Sequence, residues 1–295
     1  MFVNHKKAIN MKNTLVYISS FLLIFFSSCS DEWQTKQGVI LFKADLPITK
    51  VTKTEFESGD AISLFAVERE NGTQYPLQLG GNYLNNEQIT FNGSVWSAAQ
   101  TLYWGNEPCD FYAVYPYQEN VESVEKDHFA LNINQNGDGY EDSDLLYART
   151  ENVPVNSPVI LTFNHLMSKL VVNLVKGEQF DGDIPNDVVA HVYNTITTCK
   201  VDWTKGSVEK DIVGARSTIT MKKISNNRFE AIIVPQNIEK RTPLIEITMG
   251  GIAYLLDYSL SFRPGYVHAV SITLNTSPDQ EQIEISIDPS SGNWN

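Results

Sequence analysis

From Gly38 onward, apolar residues recur at every second position in short runs, and turn sequences break the runs apart. Side chains alternate faces along a strand, so this period specifies half-buried strands and leaves almost no helical stripe. The first half offers VILFKA (39–44), AISLFAV (61–67), QITF (88–91), TLYW (101–104), DFYAVYP (110–116), HFALNI (128–133), DLLYA (144–148) and VILTFNH (159–165). Ser58-Gly59-Asp60, Asn71-Gly72, Gly80-Gly81-Asn82, Asn92-Gly93 and Asn136-Gly137 supply the turn chemistry between them. The second half continues with KLVVNLV (169–175), VVAHVYN (188–194), CKVDW (199–203), STITMKK (217–223) and RFEAIIV (228–234). PLIEITMG (243–250), IAYLLDYSL (252–260), YVHAVSITL (266–274) and QIEISID (282–288) complete it. Many short strands with regular turns predict an all-β sandwich or barrel. One pattern ends and another begins near His165–Ser168, with no Pro-, Gly- or Ser-rich linker between them. Two tightly packed domains are expected, 29–166 and 167–295, each near the usual domain size of about 130 residues.

The N-terminus follows a different rule. Lys12 follows Met11, which is read as the functional start, and Leu15 to Phe26 is almost wholly apolar. That is a charged region and an apolar core of signal-peptide length, too short to span a bilayer. Ser27, Ser28 and Cys29 then place small residues at a cleavage point, resembling a bacterial lipobox. Residues 1–28 are read as a lipoprotein signal peptide and Cys29 as the acylated first residue. An acyl chain holds a folded domain on a bilayer without spanning it. Asp31 and Glu32 resemble the acidic export signal that sends lipoproteins to the outer face of the outer membrane.

The formal charge is −13, and no Lys/Arg cluster offsets it. Phosphate backbones need such clusters, so nucleic acid is not an expected partner. Cys109 and Cys199 fall in different predicted domains and are read as two separate buried thiols, although a bridge remains open.

The sequence was searched for chemistry without yielding an enzyme. It has no G-x-S-x-G, and neither cysteine sits in a catalytic motif. His165, in FNHLMSKL, reads either as a base or ligand, or as a strand-end histidine bonded to backbone at the domain junction. The second reading is preferred, because no carboxylate or second histidine lies near it in sequence. NQNGDGYEDSDL (134–145) places Asn134, Asn136, Asp138 and Gly139 at EF-hand spacing, but Leu145 stands where the bidentate glutamate belongs. It is read as a solvated loop, and no metal or cofactor is expected. Tyr103, Trp104, Tyr112, Tyr115 and Tyr117 either stack on a glycan or pack the core, and alternation on strands favours the core.

An ordered set of stretches resembles one family. GDAISLFA (59–66), VWSAAQTLYW (95–104), DFYAVYP (110–116), DLLYA (144–148) and LTFNHLMSKLVVNL (161–174) come first. IIVPQ (232–236), FRPGYVHAVSITLN (262–275) and the closing IEISIDPSSGNWN follow. The succession resembles the Bacteroidales fimbrillin family, the Mfa-like subunits of type V pili. The resemblance implies two tandem transthyretin-like β-sandwich domains, export as a lipoprotein and display on the cell surface. It further implies that a trypsin-like protease frees the first strand, here about 38–46, and that a neighbouring subunit's donor strand fills the vacated groove.

The residue types agree with this. The segment 39–46 alternates and can fill a sheet edge, and losing it would leave unpaired backbone beside exposed core. In the terminal strand 282–288, Ile283, Ile285 and Ile287 share one face, as a donor strand needs. The same residues are equally the last strand of the second domain. One departure stands out. No arginine occurs between Cys29 and Arg69, so Lys50 and Lys53 are the only basic residues in the expected processing linker. The expected function is a fimbrial subunit that assembles by strand exchange with neighbouring pilus subunits and supports adhesion. The alternative is an uncut surface lipoprotein, or a pilus anchor or tip, held by lipid on the outer membrane and binding a host or dietary glycan or protein.

Overall fold

The computed structural model describes residues 38–46, 55–239, 241–276 and 285–294. The first half carries β1 (Phe42–Asp45), β2 (Ala61–Glu68), β3 (Leu84–Phe91), β4 (Trp96–Ala98) and β5 (Cys109–Tyr115). It continues with β6 (Asp127–Ala130), β7 (Leu146–Val153), β8 (Val159–Thr162) and β9 (Asn164–His165). The helical turn at Asp138–Tyr140 is a single 3-10 turn. All but β6 form one sheet in the order β8-β1-β4-β3-β2-β5-β7-β9. A single apolar cluster collects Ile62 and Leu64 of β2, Ile89 of β3, Phe111 of β5, Ala148 of β7 and Leu161 of β8. One sheet can enclose such a cluster only by folding over on itself, and the Thr150 Oγ1 bond to the Ile160 carbonyl ties β7 to β8.

The second half contributes β10 (Ser168–Gln179), β11 (Val189–Ile196), β12 (Thr198–Asp202), β13 (Ser207–Lys210), β14 (Arg216–Thr220), β15 (Lys222–Ser225) and β16 (Arg228–Ile233). Next come β17 (Asn237–Ile238), β18 (Pro243–Met249), β19 (Ile252–Asp257), β20 (Leu260–Ser261), β21 (Tyr266–Thr276) and β22 (Ile285–Asn293). Sheet β15-β16-β10-β21-β22 packs on sheet β14-β11-β18-β19 as a sandwich. Between them lie Val172 and Leu174 of β10, Phe229 and Ala231 of β16, and Val192, Ile245 and Ile247 of the facing sheet. The expectation of an all-β sandwich protein is met.

The two halves interlock through two features. Strands β2 and β5 are buried along nearly their whole length. Ile62, Leu64 and Ala66 face the first cluster, while Phe65, Val67, Tyr112 and Val114 face the larger one shared with the second half. Strand β6, from the first half, pairs with β12 from the second through Thr198↔Ala130 to Val201↔Asp127.

Three runs that read as one strand each are two. VILTFNH breaks at Phe163, STITMKK at Met221 and IAYLLDYSL between Asp257 and Leu260. In each case the chain changes partner: β8 lies on β1 but β9 on β7, β14 on β11 but β15 on β16, and β19 on β18 but β20 on β17. TLYW forms no strand; it makes an isolated bridge from Tyr103 to Val39. The terminal strand is displaced to Ile285–Asn293, and 282–284 lie outside the described residues. Strands β4, β13 and β17 carry no sequence signal, being only two to four residues long.

The β12–β13 hairpin seats on the first sheet through one glycine. Gly206 has φ +63°, and a Cβ there would lie 2.2 Å from ring carbons of Tyr147 on β7. Asp202 shapes the turn by accepting from the Thr204 and Lys205 N–H groups. Gly206→Ala is expected to cost about 2–4 kcal/mol, from left-handed backbone strain plus the displacement of Tyr147. Gly182→Ala, at φ +73° with open space around it, should cost only the backbone share of about 1 kcal/mol. Equal midpoints for the two variants in urea denaturation would contradict this assignment.

Candidate functional site

The segment 38–46 alternates as its sequence requires. Ile40 is buried, Phe42, Ala44 and Leu46 are half-buried against the first cluster, and Val39, Leu41, Lys43 and Asp45 face out. It is an inserted strand with a neighbour on each flank. On one flank β1 runs parallel to β8 with Phe42↔Val159 through Asp45↔Thr162. The Val159 N–H donates to the Leu41 carbonyl at 2.8 Å, the Phe163 N–H to the Asp45 carbonyl at 3.0 Å, and the Gly38 N–H to Asn156 Oδ1 at 2.9 Å. On the other flank Phe42 pairs with Trp96, the Ile40 N–H donates to the Leu102 carbonyl at 2.9 Å, and the Trp104 N–H to the Gly38 carbonyl at 2.9 Å. Loss of this segment would leave unpaired backbone on both flanks of a slot floored by apolar side chains. Backbone donors and acceptors out of water require partners, so such a slot is a template for another strand.

The residues expected to be processed, Lys50 and Lys53, lie outside the described residues, as does Cys29. Both ends of the linker that carries the lysines are fixed. Leu46 packs on the first cluster, and Phe56 packs edge-on against Trp96, Tyr115 and Phe163 at centroid distances of 4.8, 5.6 and 5.6 Å. Arg69, the first arginine after Cys29, is locked. Its Nε and Nη2 atoms bind both carboxylate oxygens of the fully buried Asp110, at 2.7 and 3.0 Å. Asp110 also accepts the Asn152 N–H at 2.6 Å. A protease cannot take this arginine without dismantling the sheet.

At the other end of the chain, β22 is the outermost strand of its sheet and pairs antiparallel with β21. Ile285 lies opposite Leu274 and Ile287 opposite Ile272, while Ile283 lies outside the described residues. Trp294 follows β22 and is buried. Its indole stacks on the His165 imidazole at 3.7 Å with an 11° interplanar angle, and the Trp294 backbone N–H donates to the Gly265 carbonyl at 2.7 Å. His165 is a strand-end histidine, and its Nδ1 lies 2.8 Å from Asp144 Oδ1, a carboxylate. Asp144 is 21 residues upstream, and a reading based on sequence neighbours could not pair them. Leu46, Phe56, Asp144, His165 and Trp294 line one cavity of about 50 Å³.

Beside this cavity lies a buried charge network. Lys169 Nζ is 2.7 Å from Glu230 Oε2, with side-chain exposures of 1% and 0%. Glu230 also accepts from Arg228 Nη2 at 2.7 Å and from the Tyr140 hydroxyl at 2.8 Å. Burial pushes the Glu230 carboxyl up, but the Lys169 ammonium and the Arg228 and Tyr140 donors outweigh it and hold it below the ordinary range. Burial pushes Lys169 down despite the pull of Glu230. The network thus keeps its anion by surrounding it with donors.

The remaining candidates are structural. The EF-hand-like stretch exposes Asn134, Asn136 and Asp138, as a solvated loop does, and packs through residues between and after them. Leu145 is buried, the Asn136 side chain accepts the Lys223 N–H, and a Cβ on Gly139 would meet the Asn134 carbonyl at 2.3 Å. Gln135, between them, is fully buried and bonds both the N–H and the carbonyl of Ile232. Cys109 and Cys199 are separate free thiols in different clusters, and burial pushes each up to about 12. Trp104 and Tyr112 are core, Tyr115 and Tyr117 half-buried, and Tyr103 is 51% exposed.

Comparison with known proteins places this architecture. The fimbrillin-like family matches residues 49–294, and the chain belongs to that family. Over 190 residues, 54% of the chain, it is 30% identical to a candidate fimbrium tip subunit of Bacteroides ovatus, and the match spans 34% of that longer relative. A crystal structure of a candidate cell-adhesion protein from Bacteroides ovatus superposes with TM-score 0.68 at 16% identity, covering 88% of this chain and 98% of the other. Another, from Bacteroides uniformis, gives TM-score 0.64 at 20% identity, covering 88% and 99%. These structures share the fold.

Removing one partner from the buried network should be costly. Glu230→Ala strands two cations and is expected to lose about 3–5 kcal/mol of stability. Because the folded carboxyl binds a proton less readily than the unfolded one, its contribution is full above the ordinary glutamate range and is lost as pH falls through the folded value. Glu230→Gln should therefore show a shallower loss of stability than the parent between about pH 5 and pH 3. Parallel acid-unfolding curves would count against the network.

Proposed function

We propose that the chain is a structural subunit of a cell-surface fimbria, exported as a lipoprotein through Cys29 and assembled by strand exchange once 38–46 is released. The observation that carries this reading is the bonding of that segment on both flanks, within a slot whose floor is core. Family membership and the outermost position of β22 support it. Processing would fall at Lys50 or Lys53, since Arg69 is locked in its ion pair with Asp110. Ile283, Ile285 and Ile287 are the apolar row that a neighbouring subunit's slot would receive. The role is structural rather than enzymatic, and the division at 29–166 and 167–295 is kept for the two β domains.

A second reading has its own observation. The linker offers lysine and no arginine, so a protease strict for arginine would leave the chain uncut and lipid-held on the outer membrane. The chain would then serve as an anchor, a tip or a ligand-binding surface lipoprotein. Tyr103 is the one aromatic of the five candidates that is exposed enough to stack on a glycan.

The deciding measurement is the intact mass and N-terminal peptide of the protein taken from its native cell surface. A chain beginning at Val51 or Thr54 without lipid is the expected result. A chain beginning at acylated Cys29 would exclude polymerisation through the first-strand slot.

A further inference from the structure

The two segments that exchange would move, the first strand and the last, meet at one place. Leu46, at the end of the first strand, and Trp294, at the end of the last, line the same cavity. Phe56, on the far side of the processing linker, lines it too. The rest of the Trp294 seat is built from the body of the protein. The His165 ring lies flat beneath the indole at 3.7 Å, and Lys169 Nζ stands 5.6 Å from its centre. Beside the ring, the Trp294 backbone N–H donates to the carbonyl of Gly265, whose own N–H is tied to the Met167 carbonyl at 2.9 Å.

Strand β22 needs such an anchor. It pairs on one side only, with β21. Its second half reads DPSSGN, which is poor strand sequence. Pro289 has no N–H to give the ladder, Gly292 costs chain entropy, and the serines bury little apolar surface. A weak outer strand frays from its weaker half unless that end is pinned. Trp294 is the large apolar group at that end, and it is 3% exposed.

We propose that Trp294 is a latch that holds β22 on its own sheet while the first strand is in place, and that loss of the first strand opens the latch. Removing Leu46 takes away one wall of the cavity and admits water to the His165–Trp294 stack. The subunit then becomes acceptor and donor in one event: the slot empties and the last strand is freed. A precursor with its first strand seated keeps both activities closed, which would prevent assembly before the cell surface is reached. This inference rests on the strand-exchange reading and assigns its regulation to the Trp294 seat.

Hydrogen–deuterium exchange on the full chain tests it, with readouts at β22 (285–293) and, as a folding control, at the paired strands 168–173 and 228–233. Trp294→Ala should speed exchange across β22 at least ten-fold and leave the control strands unchanged. Leu46→Ala, which removes the first strand's wall of the cavity and leaves Trp294 in place, should speed β22 in the same direction, and Trp294→Phe should retain most of the protection. Parent-like exchange of β22 in either alanine variant, with the control strands native, would overturn the latch. Should Trp294→Ala disturb the control strands, Leu46→Ala decides by itself. The strand-exchange reading fails on a different observation, a surface chain that retains acylated Cys29, and the exchange rates on the monomer do not depend on it.

Discussion

The structure depends on a wall shared by two cores. Strands β2 and β5 send Ile62, Leu64, Phe111 and Ala113 to one side, and Phe65, Val67, Tyr112 and Val114 to the other. A strand pair buried on both faces cannot shift register by a residue without exchanging its two apolar sets. The wall therefore fixes the slot on one side and the seam with the second half on the other. At that seam, Phe65 meets Trp203 edge-on at 5.5 Å, and Tyr147 lies against Gly206.

Buried charge is handled in the same manner in both halves of the chain. Asp110 is fully buried and held by a two-pronged Arg69, while Glu230 is fully buried and held by Lys169, Arg228 and Tyr140. Such pairs add little net stability relative to apolar packing, but they heavily penalise arrangements that separate them. Each ties neighbouring strands together. Arg69 and Asp110 clamp the end of β2 to β5, and Glu230 ties β16 to β10 and to the 3-10 turn.

The sequence carried much of this. Alternation located most of the strands, and the turn pairs Asn71-Gly72 and Asn92-Gly93 occupy turns with positive φ at Asn71, Gly72 and Gly93. The alternation read in 39–46 is matched by Ile40, Phe42, Ala44 and Leu46 lying on the inner face. It could not say that the segment is flanked on both sides, because period two reports which face a residue takes and not which strands lie beside it. The same limit merged β8 with β9, β14 with β15 and β19 with β20, where the pattern continues while the partner changes. His165 shows the limit for sites: its carboxylate and its aromatic partner come from Asp144 and Trp294, and neither is near it in sequence.

What the sequence determined by itself is therefore the set of local preferences: an all-β chain, the faces of its strands, and its turns. These follow from side-chain period and turn chemistry within a few residues. The tertiary structure alone decided the rest. It inserted the first strand between β4 and β8, locked Arg69 on Asp110, and brought Leu46 and Trp294, 248 positions apart in the chain, to one cavity. Those outcomes depend on which strands pair across long loops. Pairing is set by the shared packing of the whole chain, and no local pattern encodes it.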